Sequence, residues 1–300
     1  MSRHWRSGSS TGISLSDSRR QFFRWQSCLK EHSMLCGSCK AQPARFIMGR
    51  IKIRKAFQQA VRPLLLGMRR MTREEILVLG DSHATVFEHR NFKKAFPRHF
   101  FNVVSVRGAT VSGLSNPMSK TQAMPIFMKA LKRSNAKTSI VLLGEVDTGF
   151  LLWYKAQKHS APVEIMMDRA IENYQNLLRT VAAKSKVVCI SAPLPTIRDD
   201  QDLGEIANLR KEVKATQRQR TELTLEFNRR MQVFCEENGL RHVSLDREAL
   251  GPDGLVSEHL LNTNPREHHY DREKHAGLII RHLLNCAEFS GGSETSVRGQ

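Results

Sequence analysis

The 300-residue sequence predicts a three-layer α/β sandwich, a five-stranded parallel sheet with helices on both faces. Two observations carry this. From Glu75 onward, short apolar runs alternate with longer stretches of helical spacing, as strand–helix–strand crossovers require. The first run, Ile76-Leu77-Val78-Leu79, is continuously aliphatic, which marks a strand buried on both faces. A hydrophobic content of 40% over this length is enough for a real core.

Residues 1–47 are rich in Ser, Arg and Gly with little periodicity, and read as a disordered basic leader. Cys28, His32, Cys36 and Cys39 are all of zinc-ligand type. The second half of a zinc ribbon is missing, so a tail carrying thiols is expected, without a metal. Residues 48–73 read as a basic amphipathic arm. In it Ile53, Phe57, Val61, Leu64, Leu65 and Met68 are apolar, and Lys52, Arg54, Lys55, Arg62, Arg69 and Arg70 are charged. The arm either packs on the domain with a solvated basic face or lies through residues 51–71 on an anionic membrane surface; Pro63 interrupts it and favours the first.

Charge follows this division. Residues 1–73 hold 16 Lys and Arg against 2 Asp and Glu, and the rest of the chain 31 against 27. The net +18 therefore belongs mainly to the leader and arm, which argues against a nucleic-acid-binding face on the body. A third class of reading, binding of nucleic acid or membrane through residues 1–73 alone, stays open on this count. No stretch approaches the roughly 20 apolar residues of a membrane span. With six cysteines in no disulfide-like spacing, a cytoplasmic location is expected.

Residues 74–288 form the expected domain, with a loose tail over 289–300. Gly80 lets the backbone turn after the first strand, and Asp81 and Ser82 are both natural helix caps. A helix is predicted from Thr85 to Phe96, stopped by Pro97. Strand two spans His99 to Val106 and leads into a glycine-bearing loop, Gly108 to Leu114. A helix through Ile126 to Leu131 precedes strand three, Thr138 to Leu143, which ends in Gly144-Glu145-Val146-Asp147. Helical spacing over Val163 to Ala183 precedes strand four, Lys186 to Ser191. The charged stretch Asp202 to Glu237 reads as one long helix with Gly239 after its end. A short fifth strand, Arg241 to Leu245, and a final helix, Arg272 to Cys286, complete the pattern.

A serine at the carboxyl end of a first strand, against a helix N-terminus, is presented in the crevice of an open α/β sheet. Its own N–H then points where an oxyanion could be held. The same residues also describe a plain strand–turn–helix with a good cap. A nucleophile would need a base, and the loop just before the last helix opens at the same sheet edge. There His269 stands in His268-His269-Tyr270-Asp271, 187 positions from Ser82; a solvated loop histidine is the plain alternative.

In these blocks the chain resembles the SGNH/GDSL hydrolases, in the variant whose first block reads Gly80-Asp81-Ser82-His83. The likeness is scattered over about residues 75–287. It implies a flavodoxin-like 2-1-3-4-5 strand order, Ser82 as nucleophile, and backbone donors at Ser82 and Gly108 for the oxyanion. It also implies His269 as catalytic base, with no cofactor. Asp81, His83, Glu145, Asp147 and Glu267 are the expected site-lining residues. Two positions depart from the family pattern. Val146 stands where an asparagine would donate a third hydrogen bond, and Arg266 where an aspartate would orient the histidine. Asn264 and Glu267 are the nearby stand-ins, Glu267 needing an unusual loop to reach the distal ring nitrogen. The implied activity is hydrolysis or transfer of a small acyl ester of a carbohydrate or lipid. The alternative is a catalytically silent module that binds a glycan or a protein.

Overall fold

The computed structural model describes residues 67–69, 71–199, 213–264 and 267–289, all within one unit, Ala60–Gln300. The leader, its four zinc-type ligands, most of the basic arm, Arg266 and the tail lie outside the described residues.

Five parallel strands form the sheet: β1 Glu74–Gly80, β2 His99–Ser105, β3 Thr138–Leu142, β4 Lys186–Ile190 and β5 Arg241–Val243. Their order is β2-β1-β3-β4-β5, as the resemblance implies. Side chains alternate across β1: Leu77 and Leu79 face one core, Ile76 and Val78 the other, and all four are fully buried. Each such side chain contributes about 1.5–3 kcal/mol by leaving water. That is why a central parallel strand is apolar at every position.

Besides helical residues 67–69 and 71–72 ahead of β1, seven α-helices are described: α1 Arg90–Ala95, α2 Ala123–Arg133, α3 Leu152–His159, α4 Val163–Ala182, α5 Gln217–Glu237, α6 Asp246–Ala249 and α7 Arg272–Leu284. The first core packs Phe127 of α2, Leu152 of α3, Leu177 of α4 and Phe227 of α5 against the sheet. The second packs Phe92 of α1 and Ala276, Ile279 and Leu283 of α7 on the opposite face. Among the described residues no helix is long and apolar enough to cross a membrane.

Three helical expectations need correction. The stretch after Ser82 is not one helix: a 3-10 turn, Ser82–Glu88, is followed by α1, with extended backbone at His89 between them. The Thr85 hydroxyl donates to the Ser82 carbonyl at 2.8 Å, which favours the tighter three-residue turn. Of the charged stretch, residues 202–212 lie outside the described residues, 213–216 are not helical, and α5 starts at Gln217, where Thr216 and Gln219 form a reciprocal capping box. Finally, Asp147–Leu151 form a wide π-turn that runs into α3, an element the sequence reading leaves unassigned.

Gly80 is required at the end of β1. A Cβ there would sit 2.7 Å from the Ala84 Cβ and closer still to the Leu142 carbonyl. Gly80→Ala is expected to destabilise the fold by about 1–3 kcal/mol, as overpacking does. The check is thermal unfolding, where each kcal/mol lowers the midpoint by roughly 2–4 °C in a domain of this size.

Candidate active site

Parallel register brings three strand ends to one edge. Gly80 pairs with Ser105 of β2 and with Leu142 of β3. Ser82, Gly108 and Glu145 therefore leave the sheet two or three residues beyond matched positions. Two further bonds pin this edge: the Val106 N–H donates to the Gly80 carbonyl (2.8 Å), and the Ser105 hydroxyl to the Asp81 carbonyl (2.6 Å). Gly108 has φ +70°, a left-handed conformation that lets the chain reverse just after β2.

Asp81 caps the 3-10 turn, its Oδ1 accepting from the His83 N–H at 2.8 Å. That cap leaves Ser82 half-exposed at the head of the turn. From the far end of the chain, the His269 Nε2 lies 2.8 Å from the Ser82 Oγ. The His269 Nδ1 is hydrogen-bonded to the Glu267 carboxylate, which also accepts from the His269 backbone N–H at 3.3 Å. Serine hydroxyl, imidazole and carboxylate thus form one continuous chain of hydrogen bonds.

The loop bearing His269 is held by its neighbours. The Thr196 hydroxyl donates to the His268 carbonyl (2.6 Å) and the Leu194 N–H to the Tyr270 hydroxyl (2.7 Å). The Arg272 guanidinium reaches from α7 to the Thr85 carbonyl (2.6 Å), tying helix and 3-10 turn together. Sequence reasoning singles out none of Leu194, Thr196 or Arg272, because each acts across a gap of 70 residues or more in sequence.

Glu267 is one of the two stand-ins for the missing aspartate. The glutamate two residues before the histidine does reach the distal ring nitrogen. It can because the chain folds back in a tight turn, with the Glu267 N–H on the Asn264 carbonyl (3.0 Å), and because glutamate is one methylene longer than aspartate. Asp81 and Asp147 are anchors more than lining. Asp81 is 1% exposed and Asp147 fully buried. The Asp147 carboxylate accepts from the N–H groups of Val111 (2.6 Å) and Ser112 (2.9 Å) and so holds the loop that follows Gly108. His83 lies buried beneath His269, ring centroids 4.5 Å apart. Glu145 is buried, close enough for its charge to act on His269. Val146 is half-buried and brings no donor.

The electrostatics follow from burial and partners. Burial, then the charge on His83, pushes His269 below the ordinary histidine range, against the pull of Glu267 and Glu145. Burial alone would raise Glu267; the hydrogen bond and charge of His269 outweigh it and hold the carboxyl low. His275, in the first turn of α7, is pushed by burial to about 3 and stays neutral, its Nε2 buried without a hydrogen-bond partner. Glu267, His268 and His269 each offer a metal-ligand atom within 4.8 Å of the others, though two of these atoms already hydrogen-bond each other.

Burial raises Asp147 to about 6 despite its two backbone donors. An acid whose folded value exceeds its unfolded one contributes stability below about pH 4 that is lost as pH rises through 6. The wild type is therefore expected to lose about 3 kcal/mol relative to Asp147→Asn between pH 4 and 7. Denaturant unfolding of both proteins across that window measures the difference.

No protein-family model and no curated protein matches the chain. Solved structures do. A presumed acylhydrolase from Bacteroides fragilis is similar at TM-score 0.50 and 11% identity, over 73% of this chain and 91% of that one. A GDSL-like lipase from Bacteroides thetaiotaomicron is similar at TM-score 0.48 and 14% identity, over 70% and 87%. An extracellular lipase from Streptomyces rimosus gives 0.43 and 11%, over 70% and 98%. At these identities the likeness is one of architecture: the chain shares its α/β fold with the first of these, the acylhydrolase.

Proposed function

We propose that the protein is a serine esterase, an acyl hydrolase or acyltransferase that works through an acyl-enzyme on Ser82. The observation that carries this is the 2.8 Å contact between the Ser82 Oγ and the His269 Nε2, with Glu267 on the other ring nitrogen. In this reading Ser82 attacks the ester carbonyl while His269 takes its proton. The N–H groups of Ser82 and Gly108 hold the oxyanion, and Glu267 stabilises the imidazolium. His269 then gives the proton to the departing alcohol. Water or an acceptor hydroxyl, deprotonated by the same imidazole, releases the acyl group.

The substrate class is a small acyl ester of a carbohydrate or lipid. Val146 leaves the oxyanion with two backbone donors, and one missing donor costs about 10²–10³ in rate. That substitution favours the second reading, a silent module that binds a glycan or partner protein. The intact hydrogen-bond chain favours catalysis, because a binding module has no use for a serine aligned on an oriented imidazole. Contact of residues 51–71 with an anionic membrane surface remains part of the proposal, as does a cytoplasmic setting.

Labelling by a fluorophosphonate probe decides between the two. Wild type is expected to label and Ser82→Ala not to; a folded wild type that stays unlabelled would leave the silent module. With a short-chain ester, Ser82→Ala is expected to lower kcat by at least about 10³ and Glu267→Gln by about 10²–10⁴. Because His269 must be unprotonated to act and lies below its ordinary 6.5, the acid limb of kcat/KM is expected to have its midpoint below pH 6.5.

A further inference from the structure

We infer that His83 is a positioning residue for His269: anchored by Asp81, it backs the imidazole that faces Ser82. The inference rests on the reading of Ser82 and His269 as nucleophile and base. A histidine after a capping turn could be no more than core filler, and three observations speak against that. Its backbone N–H and its Nδ1 both meet the same Asp81 Oδ1, at 2.8 and 3.0 Å, so the ring is held at two points. It is 3% exposed, too dry for a polar ring to be there without a use for its polarity. The ring it packs on, at 4.5 Å and 52°, is the one bonded to Ser82. Asp81 and His83 therefore flank the serine in sequence while closing under its partner in space.

The charges around His269 are spread over four elements. Asp81 and His83 come from the β1 end, and Glu145 from the β3 end. Glu267 and His268 share its own loop, and His275 looks out from α7. After burial, the charge on His83 is the largest influence holding His269 low, and Glu267 and Glu145 oppose it. A base held low stays unprotonated as the medium acidifies. Once it has taken the proton of Ser82, it gives that proton up more readily to the leaving oxygen. His83 exchanges no proton in this sequence.

The test is a proton NMR titration of the His269 ring in the full chain, assigned with His269→Ala. His83→Gln keeps a hydrogen-bonding group for Asp81 without the imidazole, and is expected to raise the His269 midpoint by about one pH unit. His83→Leu is expected to raise it as much, and the acid limb of kcat/KM to move with it. A midpoint shifted by less than about 0.2 unit in a folded variant overturns the inference. Should both His83 variants fail to fold, Asp81→Asn, which keeps both rings but weakens the anchor, is expected to shift the midpoint; an unchanged value there overturns it equally. The titration needs no turnover. A shifted midpoint in a protein that hydrolyses no ester would keep the coupling and discard the esterase, and hydrolysis with no shift would do the reverse.

Discussion

The hydrogen bond between Ser82 and His269 is the contact on which the arrangement depends, because it closes a gap of 187 residues between the first strand and the last loop. Nothing local enforces it. The serine is set by the end of β1, clamped through Gly80 and Asp81 to the end of β2. The histidine is set by the loop before α7, clamped through His268 and Tyr270 to the segment after β4. A slip of one residue between β1 and β2 would turn every side chain of one strand to the opposite face and separate the serine from its turn. The two apolar cores prevent that slip, since Ile76 and Val78 cannot exchange places with Leu77 and Leu79 without emptying both.

The site gathers several ionisable groups into a dry region. Asp81, Glu145 and Asp147 lie at the strand ends, with His83 and His275 between the sheet and α7. Burying such groups costs several kcal/mol each unless bonds or countercharges compensate. Asp81 is compensated by His83, and Asp147 by two backbone donors. Asp246 beneath the same loop accepts from Asn228 at 2.8 Å, yet burial raises it to about 6. A fold built only for stability would fill these positions with aliphatic residues. Concentration of ionisable groups at one sheet edge is what a reactive site needs, and the large cores elsewhere sustain it.

Much of this was legible in the residue order. Four continuous aliphatic residues before Gly-Asp-Ser-His announce a buried strand and its turn, and the alternation that follows predicts all five strands within one or two residues. Boundaries went astray where local chemistry outweighs periodicity. Thr85 tightens the turn after Ser82, and the capping box of Thr216 and Gln219 starts α5 later than its charge pattern implies. Leu152–His159 escaped notice because its helix grows out of a π-turn, whose spacing matches no regular period.

For the site, the sequence by itself determined the chemical inventory. It placed Ser82, Gly108 and Glu145 at strand ends and His269 before a helix, because the ends of strands and helices follow from periodicity and breaker residues. It also determined that Val146 offers no donor. What only the tertiary structure decided is which groups meet. Glu267 replaces the carboxylate expected three residues before the histidine because a turn on Asn264 shortens the path. Asp147 serves the loop after Gly108, and His83 lies under His269. These are contacts between segments far apart in the chain or folded by turns with no periodic signature. Their distances depend on how helices and loops pack on the sheet, which no single stretch of residues specifies.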